Sequence, residues 1–207
     1  MKTAIATAAI AAAATAAHAE FVTNGSMTGN PSIGTPPPGW GSASIDGDTI
    51  PPGGLNGWAT GIAPSSDGGT FLAVLNNGPG SGFDDVQQII TGFTPGQTYT
   101  LSFEWANVGL DASASSNYAN PGFVRASIAG NEFETDEIPH EGFGSQTWRT
   151  FSTTFVANGE TQVLSFRGVS TIAGGYAAGI DGVSIVPAPA AVSLLGVAGL
   201  LGARRRR

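Results

Sequence analysis

Strict alternation of apolar and polar positions organises the middle of this chain. Tyr99, Leu101, Phe103 and Trp105 recur at period two, with Thr98, Thr100, Ser102 and Glu104 between them. Such a strand buries one face and wets the other. Similar short runs flank it: Thr70 to Leu75, Asp85 to Ile90, Phe123 to Ile128, Glu132 to Ile138, Trp148 to Val156, Val163 to Val169 and Ala178 to Ile185. Phe21-Val22-Thr23 reads as an edge strand before the Asn24-Gly25 turn, and the Pro/Gly-rich stretch 29–64 as long loops carrying one or two short strands. Turn chemistry punctuates the runs: Pro95-Gly96 before the strongest strand, Ala129-Gly130-Asn131, and Asn158-Gly159. About ten strands with no helical period between them predict an all-β, antiparallel sandwich of jelly-roll type.

The two ends break this pattern. Met1 to Ala19 begins with Lys2, continues as an Ala/Ile/Thr run and ends in Ala17-His18-Ala19. A basic start, an apolar middle and a small-x-small site make a secretory signal peptide, cut between Ala19 and Glu20. At the other end stand Val186-Pro187-Ala188-Pro189-Ala190, an apolar run to Ala203, and Arg204, Arg205, Arg206 and Arg207. A helix over 190–203 would be roughly 21 Å long against a hydrocarbon thickness of about 30 Å, so it spans only marginally. Arginines resist translocation, which sets the tail's end inside and the domain outside. The organisation expected is a signal peptide over 1–19, an exported β-sandwich over 20–186 and a sorting tail over 187–207.

Pro-x-Pro-Ala, an apolar helix and a terminal Arg cluster resemble the PEP-CTERM sorting signal of Gram-negative bacteria, in its Val-Pro-x-Pro-Ala form. Ala188 stands where the commonest form has Glu. The resemblance implies processing near the proline motif by an exosortase, a membrane-embedded protease. It implies export through the secretion translocon, transient anchoring in the inner membrane, and then the outer surface or the extracellular polysaccharide matrix.

Charge narrows the partners. The exported stretch holds all fifteen acidic residues against Arg125, Arg149 and Arg167, a net charge near −12. That surface repels nucleic acid and anionic membranes. With no cysteine in the chain, neither disulfides nor thiol chemistry is available. Only His140 remains after signal cleavage, too few for a multi-histidine metal site, and no Gly-x-x-x-x-Gly-Lys phosphate loop occurs.

Asn24-Gly25-Ser26, Pro38-Gly39-Trp40, Gln88, the Phe93 to Phe103 stretch, the Trp148 to Phe155 strand and Gly179-Ile180-Asp181-Gly182-Val183 together resemble galactose-binding-like sandwiches of the carbohydrate-binding-module type. The resemblance implies glycan binding without catalysis, and a structural calcium with Asp181 among its ligands. Met27-Thr28 stand where that family commonly has Phe-Glu. Asp46, Asp48, Asp67, Asp84 and Asp85 are further oxygen donors, although Asp beside Gly is also ordinary turn chemistry. Sugar rings stack on exposed aromatics flanked by hydrogen-bonding groups. Trp105 is in phase with the core, Trp148 is out of phase with Phe151 and Phe155, and the loop residues Trp58 and Tyr118 are the candidate platforms. A rival reading takes Glu132, Glu134 and Asp136, spaced along one strand face, as the carboxylates of a secreted glycoside hydrolase; the alternative for that strand is a solvated acidic face. A purely structural matrix protein is the third reading.

Overall fold

The period-two runs fold as strands, and their buried positions meet across one interior. In the computed structural model the described residues are 21–79, 82–109, 118–172 and 174–189. The chain forms ten strands: β1 (Gly41–Ser42), β2 (Asp48–Ile50), β3 (Phe71–Asn76), β4 (Asp85–Thr91), β5 (Thr98–Asn107), β6 (Phe123–Ile128), β7 (Asn131–Glu134), β8 (Arg149–Val156), β9 (Thr161–Val169) and β10 (Tyr176–Pro187). No helix occurs among the described residues. Two five-stranded sheets result, ordered β1-β4-β9-β6-β7 in the first and β2-β3-β10-β5-β8 in the second. Every strand pair is antiparallel.

Alternation decides which side chains meet between the sheets. Tyr99, Leu101, Phe103 and Trp105 of β5 face Val86 and Ile90 of β4, Val124 and Ala126 of β6, and Leu164 and Phe166 of β9 in one apolar cluster. Trp40 caps it, with its ring 5.7 Å from that of Phe166 and its Nε1–H donating to the Asn24 carbonyl at 3.1 Å. A second cluster lies on the outer side of the second sheet, where Ile50, Ala59 and Ile62 cover Phe71, Ala73, Ala106, Val108 and Ala177. The Pro/Gly-rich stretch therefore covers the outer face of the second sheet, and meets the first only at its β1 edge.

Three expectations are corrected. Phe21-Val22-Thr23 is no strand but bends into the turn over residues 23–26. The Thr23 N–H and carbonyl are taken by the Gln88 side chain, at 2.8 Å each, so no neighbouring strand is recruited. β7 ends at Glu134 rather than running to Ile138. Buried Thr135 turns its hydroxyl to accept the Val124 N–H at 3.0 Å, and Asp136 falls outside the strand. Finally, the last strand does not end at Ile185: β10 continues through Val186 and Pro187.

Candidate functional site

The bare sheet face is built by strand parity. On β4, β9 and β6 the odd-numbered residues point outward; on β7 the even-numbered ones do. Antiparallel register then sets side chains in rows across the four strands. Asp85, Arg167, Arg125 and Glu134 form one row, and Gln87, Ser165, Ser127 and Glu132 the next. Thus two of the three arginines of an acidic domain stand side by side on a single face.

Their guanidinium groups are held from several directions. Arg125 Nε donates to Glu134 Oε1 at 2.8 Å, its Nη2 pairs with the same oxygen, and its Nη1 lies 3.5 Å from Glu132. Arg167 Nη2 lies 3.4 Å from the other Glu132 oxygen. Each arginine also sits over an aromatic ring, Arg167 5.4 Å from the centre of Phe83 and Arg125 6.0 Å from that of Phe123. Burial pushes the Asp85 carboxyl above its ordinary range, against the opposing pull of Arg167 and Ser165. A cavity of about 430 Å³ opens at this end, lined by Asn76, Pro79, Phe83, Arg125, Arg167 and Ser170. Along the same strands a second hollow of about 500 Å³ lies between Gly39, Gly41, Gln87 and Ile89. Ile89 and Val163, paired across β4 and β9, are exposed beside it.

Chemically, the face offers paired guanidinium and carboxylate groups, a side-chain amide and two serine hydroxyls, edged by two half-buried phenyl rings. Fixed donors and acceptors between apolar edges match a molecule that carries many hydroxyls on an apolar ring.

Trp58 and Tyr118 come together elsewhere. Their ring centres are 5.3 Å apart at 43°, both are half-buried against the second cluster, and the Tyr118 hydroxyl donates to Asn77 Oδ1. Trp105 is buried in the main core, and Trp148 caps the second cluster, with its Nε1–H on the Ala63 carbonyl at 2.8 Å. Glu132 and Glu134 share the bare face as arginine partners, while Asp136 does not join them.

Asp181 lies at a β-bulge in β10, where the register against β5 shifts before Ser184 and Gly182 adopts a φ of 57°. It is buried, its Oδ2 accepts from the Ser65 hydroxyl and its Oδ1 accepts the Gly182 N–H at 2.8 Å. Burial pushes its pKa up to about 7, helped by the nearby Asp67 and Glu104 carboxylates. Both oxygens are thus engaged by protein donors, and among the described residues no three acidic or imidazole groups converge to hold a metal ion.

Asp48 and Asp84 are a second pair of buried acids. Asp48 Oδ1 accepts the Gly34 N–H at 2.6 Å, and Asp84 Oδ2 accepts the Leu75 N–H at 2.8 Å. Burial raises their pKa values to about 6 and about 7, with Asp46 adding to both.

Of the residues expected to form a sorting motif, Val186, Pro187 and Pro189 are described. Ala190, Arg204 to Arg207 and the signal-cleavage residues Ala17, Ala19 and Glu20 lie outside the described residues. Within those residues no helix is long and apolar enough to cross a membrane.

Sequence reasoning passed over Arg125, Arg167, Phe83, Phe123 and Gln87. A signal existed: the domain has only three arginines, and Phe123-x-Arg125-x-Ser127 and Ser165-x-Arg167 are polar phases of alternating strands. What no alternation reveals is that β6 and β9 are neighbours.

No family model matches the chain, and no curated protein matches it. Solved structures do match. The arabinose-bound MgGH51 α-L-arabinofuranosidase aligns over 82% of this chain and 26% of its own, at 14% identity and a TM-score of 0.54. Tailspike protein 4 of bacteriophage CBA120 aligns over 82% of this chain and 21% of its own, at 21% identity and a TM-score of 0.47. The CBM22-1 xylan-binding domain of Paenibacillus barcinonensis Xyn10C aligns over 77% of this chain and 91% of its own, at 13% identity and a TM-score of 0.45. The chain spans about a quarter of the arabinofuranosidase and about a fifth of the tailspike protein. At 14% identity the likeness to the arabinofuranosidase is one of fold alone.

Proposed function

We propose that the domain is a non-catalytic, galactose-binding-like jelly roll that binds glycans through the outer face of its first sheet. The observation that carries this reading is the pair of adjacent rows on that face, Asp85-Arg167-Arg125-Glu134 and Gln87-Ser165-Ser127-Glu132, edged by Phe83 and Phe123. Ion-paired guanidinium groups keep donors free for hydroxyls while their own orientation is already set, so little side-chain entropy is lost on binding.

The two ends supply the address. A cleavable signal over 1–19 sends the chain through the translocon. The tail over 187–207 anchors it in the inner membrane until an exosortase-like protease releases it to the outer surface or the polysaccharide matrix. An acidic domain suits that exterior, since it adheres neither to nucleic acid nor to anionic lipid.

Affinity electrophoresis of the domain through gels containing a panel of polysaccharides tests the binding reading. Retardation by at least one polysaccharide, lost in Arg167→Ala, is the expected result. Absence of retardation on every polymer leaves the structural-matrix reading. The hydrolase reading uses Glu132, Glu134 and Asp136, and it requires release of reducing sugar from the same panel. Fractionation of the producing cells tests the address: domain found only in the cytoplasm would sink it.

A further inference from the structure

A sheet that does not close on itself leaves two edges whose backbone groups invite another chain, and natural sandwiches guard them. Here the edge strands are β1 and β7 of the first sheet and β2 and β8 of the second. Three of them are guarded. β1 is only two residues long and β2 only three, and the outer side of β2 is taken by Ser32, which exchanges backbone hydrogen bonds with Thr49 at 2.9 Å. β7 is four residues long and carries the charges of Glu132 and Glu134. β8 has none of these devices. It runs for eight residues in unbroken register with β5, from Arg149 opposite Trp105 to Val156 opposite Thr98, with no proline, bulge or carboxylate. Parity identifies the groups it leaves open. The Ala157 N–H donates to the Gln97 carbonyl at 3.0 Å, so the odd-numbered backbone positions of β8 face β5, while Thr150, Ser152, Thr154 and Val156 turn their N–H and C=O groups outward. Among the described residues nothing pairs with them. Apolar surface lies beside this row: Phe133 and Phe151 are half-buried at the rim of the core, Val156 is 52% exposed, and a hollow of about 260 Å³ opens between Thr98, Asn131, Phe133 and Val156.

We infer that two copies of this chain join along β8, antiparallel about a two-fold axis through Thr153. The open positions are symmetric about that residue. With Thr153 opposite its own counterpart, Thr150 meets Val156 and Ser152 meets Thr154 of the second copy, and every outward N–H finds a carbonyl. No other antiparallel register uses all of them. The side-chain rows agree with this one. Inward, Phe151 comes opposite Phe155 across the junction; outward, the row Ser184-Ser102-Ser152 continues into Thr154-Thr100-Val186 of the second copy, hydroxyl beside hydroxyl. Charge selects the same partner. In a chain with fifteen acidic residues the junction strand holds none, and its single charge, Arg149, comes opposite Ala157 of the second copy, next to the turn that carries Glu160. Opposite charges therefore lie at both ends of the junction. The second sheets of the two copies become one continuous sheet, and each copy keeps the outer face of its first sheet open.

The chain has no cysteine, so single ones report the register. In the full-length chain in mild detergent, Thr153→Cys places two thiols at positions about 4.5 Å apart at Cα, within disulfide reach, whereas Thr150→Cys places them roughly 20 Å apart along the strands. Mild oxidation read on a non-reducing gel should give a covalent dimer from Thr153→Cys and at least tenfold less from Thr150→Cys. Equal yields, or none from Thr153→Cys, overturn the inference. Thr154→Pro blocks the junction and spares the fold, because the nitrogen it alters serves no bond within the sandwich. Sedimentation of the otherwise unaltered full-length chain should show a dimer that falls to a monomer in Thr154→Pro, with the melting temperature moved by no more than about 3 °C. A monomer from the start leaves the edge to some other occupant, and a dimer that survives Thr154→Pro is held elsewhere; either result overturns the inference. Should the proline lower the melting temperature further, the two cysteine variants decide alone.

Discussion

The outer faces of the two sheets are made by the same alternation and end in opposite states. On the second sheet the outward residues Phe71, Ala73, Ala106, Val108 and Ala177 are apolar, beside Ile50 of β2, and lie under the loop carrying Ala59 and Ile62. On the first sheet the outward residues are Arg125, Arg167, Glu132, Glu134, Gln87, Ser127 and Ser165, and none of them belongs to an apolar cluster among the described residues. A covered face is a second core, and its side chains contribute stability. An uncovered face of paired charges contributes little to stability, because exposed ion pairs are worth at most about 1 kcal/mol each. Its side chains are accordingly available for recognition.

Trp148→Ala strikes the covered face and carries the largest expected effect. The ring packs edge-on against Phe71 at 5.3 Å, and its Nε1–H holds the Ala63 carbonyl. Loss of about 3 kcal/mol is expected, seen as a fall of about 10 °C in melting temperature with glycan retardation retained well below the melt. Equal damage to binding would erase the division between the two faces.

Next in size is the pH dependence of the buried acids. Asp48, Asp84 and Asp181 have folded pKa values of about 6, 7 and 7 against an ordinary value of 3.8. The folded chain therefore holds more protons than the unfolded one between those limits. Stability from these groups is full below pH 3.8 and is lost as pH rises through 7. Melting temperature should be several degrees higher at pH 5.5 than at pH 8, and Asp84→Asn should flatten that slope and raise the pH 8 value. A slope unchanged by Asp84→Asn would remove this account.

Arg167→Ala tests the open face. Melting should move by no more than about 2 °C, whereas retardation on the best polysaccharide should fall at least tenfold. A large thermal loss with unchanged binding would reverse the roles of the two faces. Glu134→Gln is the mildest: a thermal change within about 1 °C is expected, and reducing-sugar assays should read no release from either protein. Release by the parent that disappears in the variant would make the face catalytic.

The strands were legible wherever local chemistry and tertiary demand agreed. β6 runs from Phe123 to Ile128 as its alternation predicts, and Ala129 and Gly130, both at positive φ, turn it into β7. Legibility failed where a side chain replaced a backbone partner. Gln88 satisfies Thr23 and prevents an N-terminal strand, and the Thr135 hydroxyl takes a ladder position and shortens β7. Trp58 and Tyr118 stood out because they are aromatic and in loops, yet they pack on each other at the margin of the second cluster.

By itself the sequence determined the all-β class, the strand phases, and a strongly acidic stretch flanked by a signal-like start and a proline, apolar and arginine tail. Each is a property of neighbouring residues or of composition, which backbone geometry and charge convert directly into structure. Which strands lie side by side was decided only in three dimensions. Register across β4, β9, β6 and β7, strands separated by up to about seventy residues, assembled the arginine rows. The short reach of β3 along β10 made room for Pro187, because a proline fits a sheet only where no neighbour asks for its hydrogen bond.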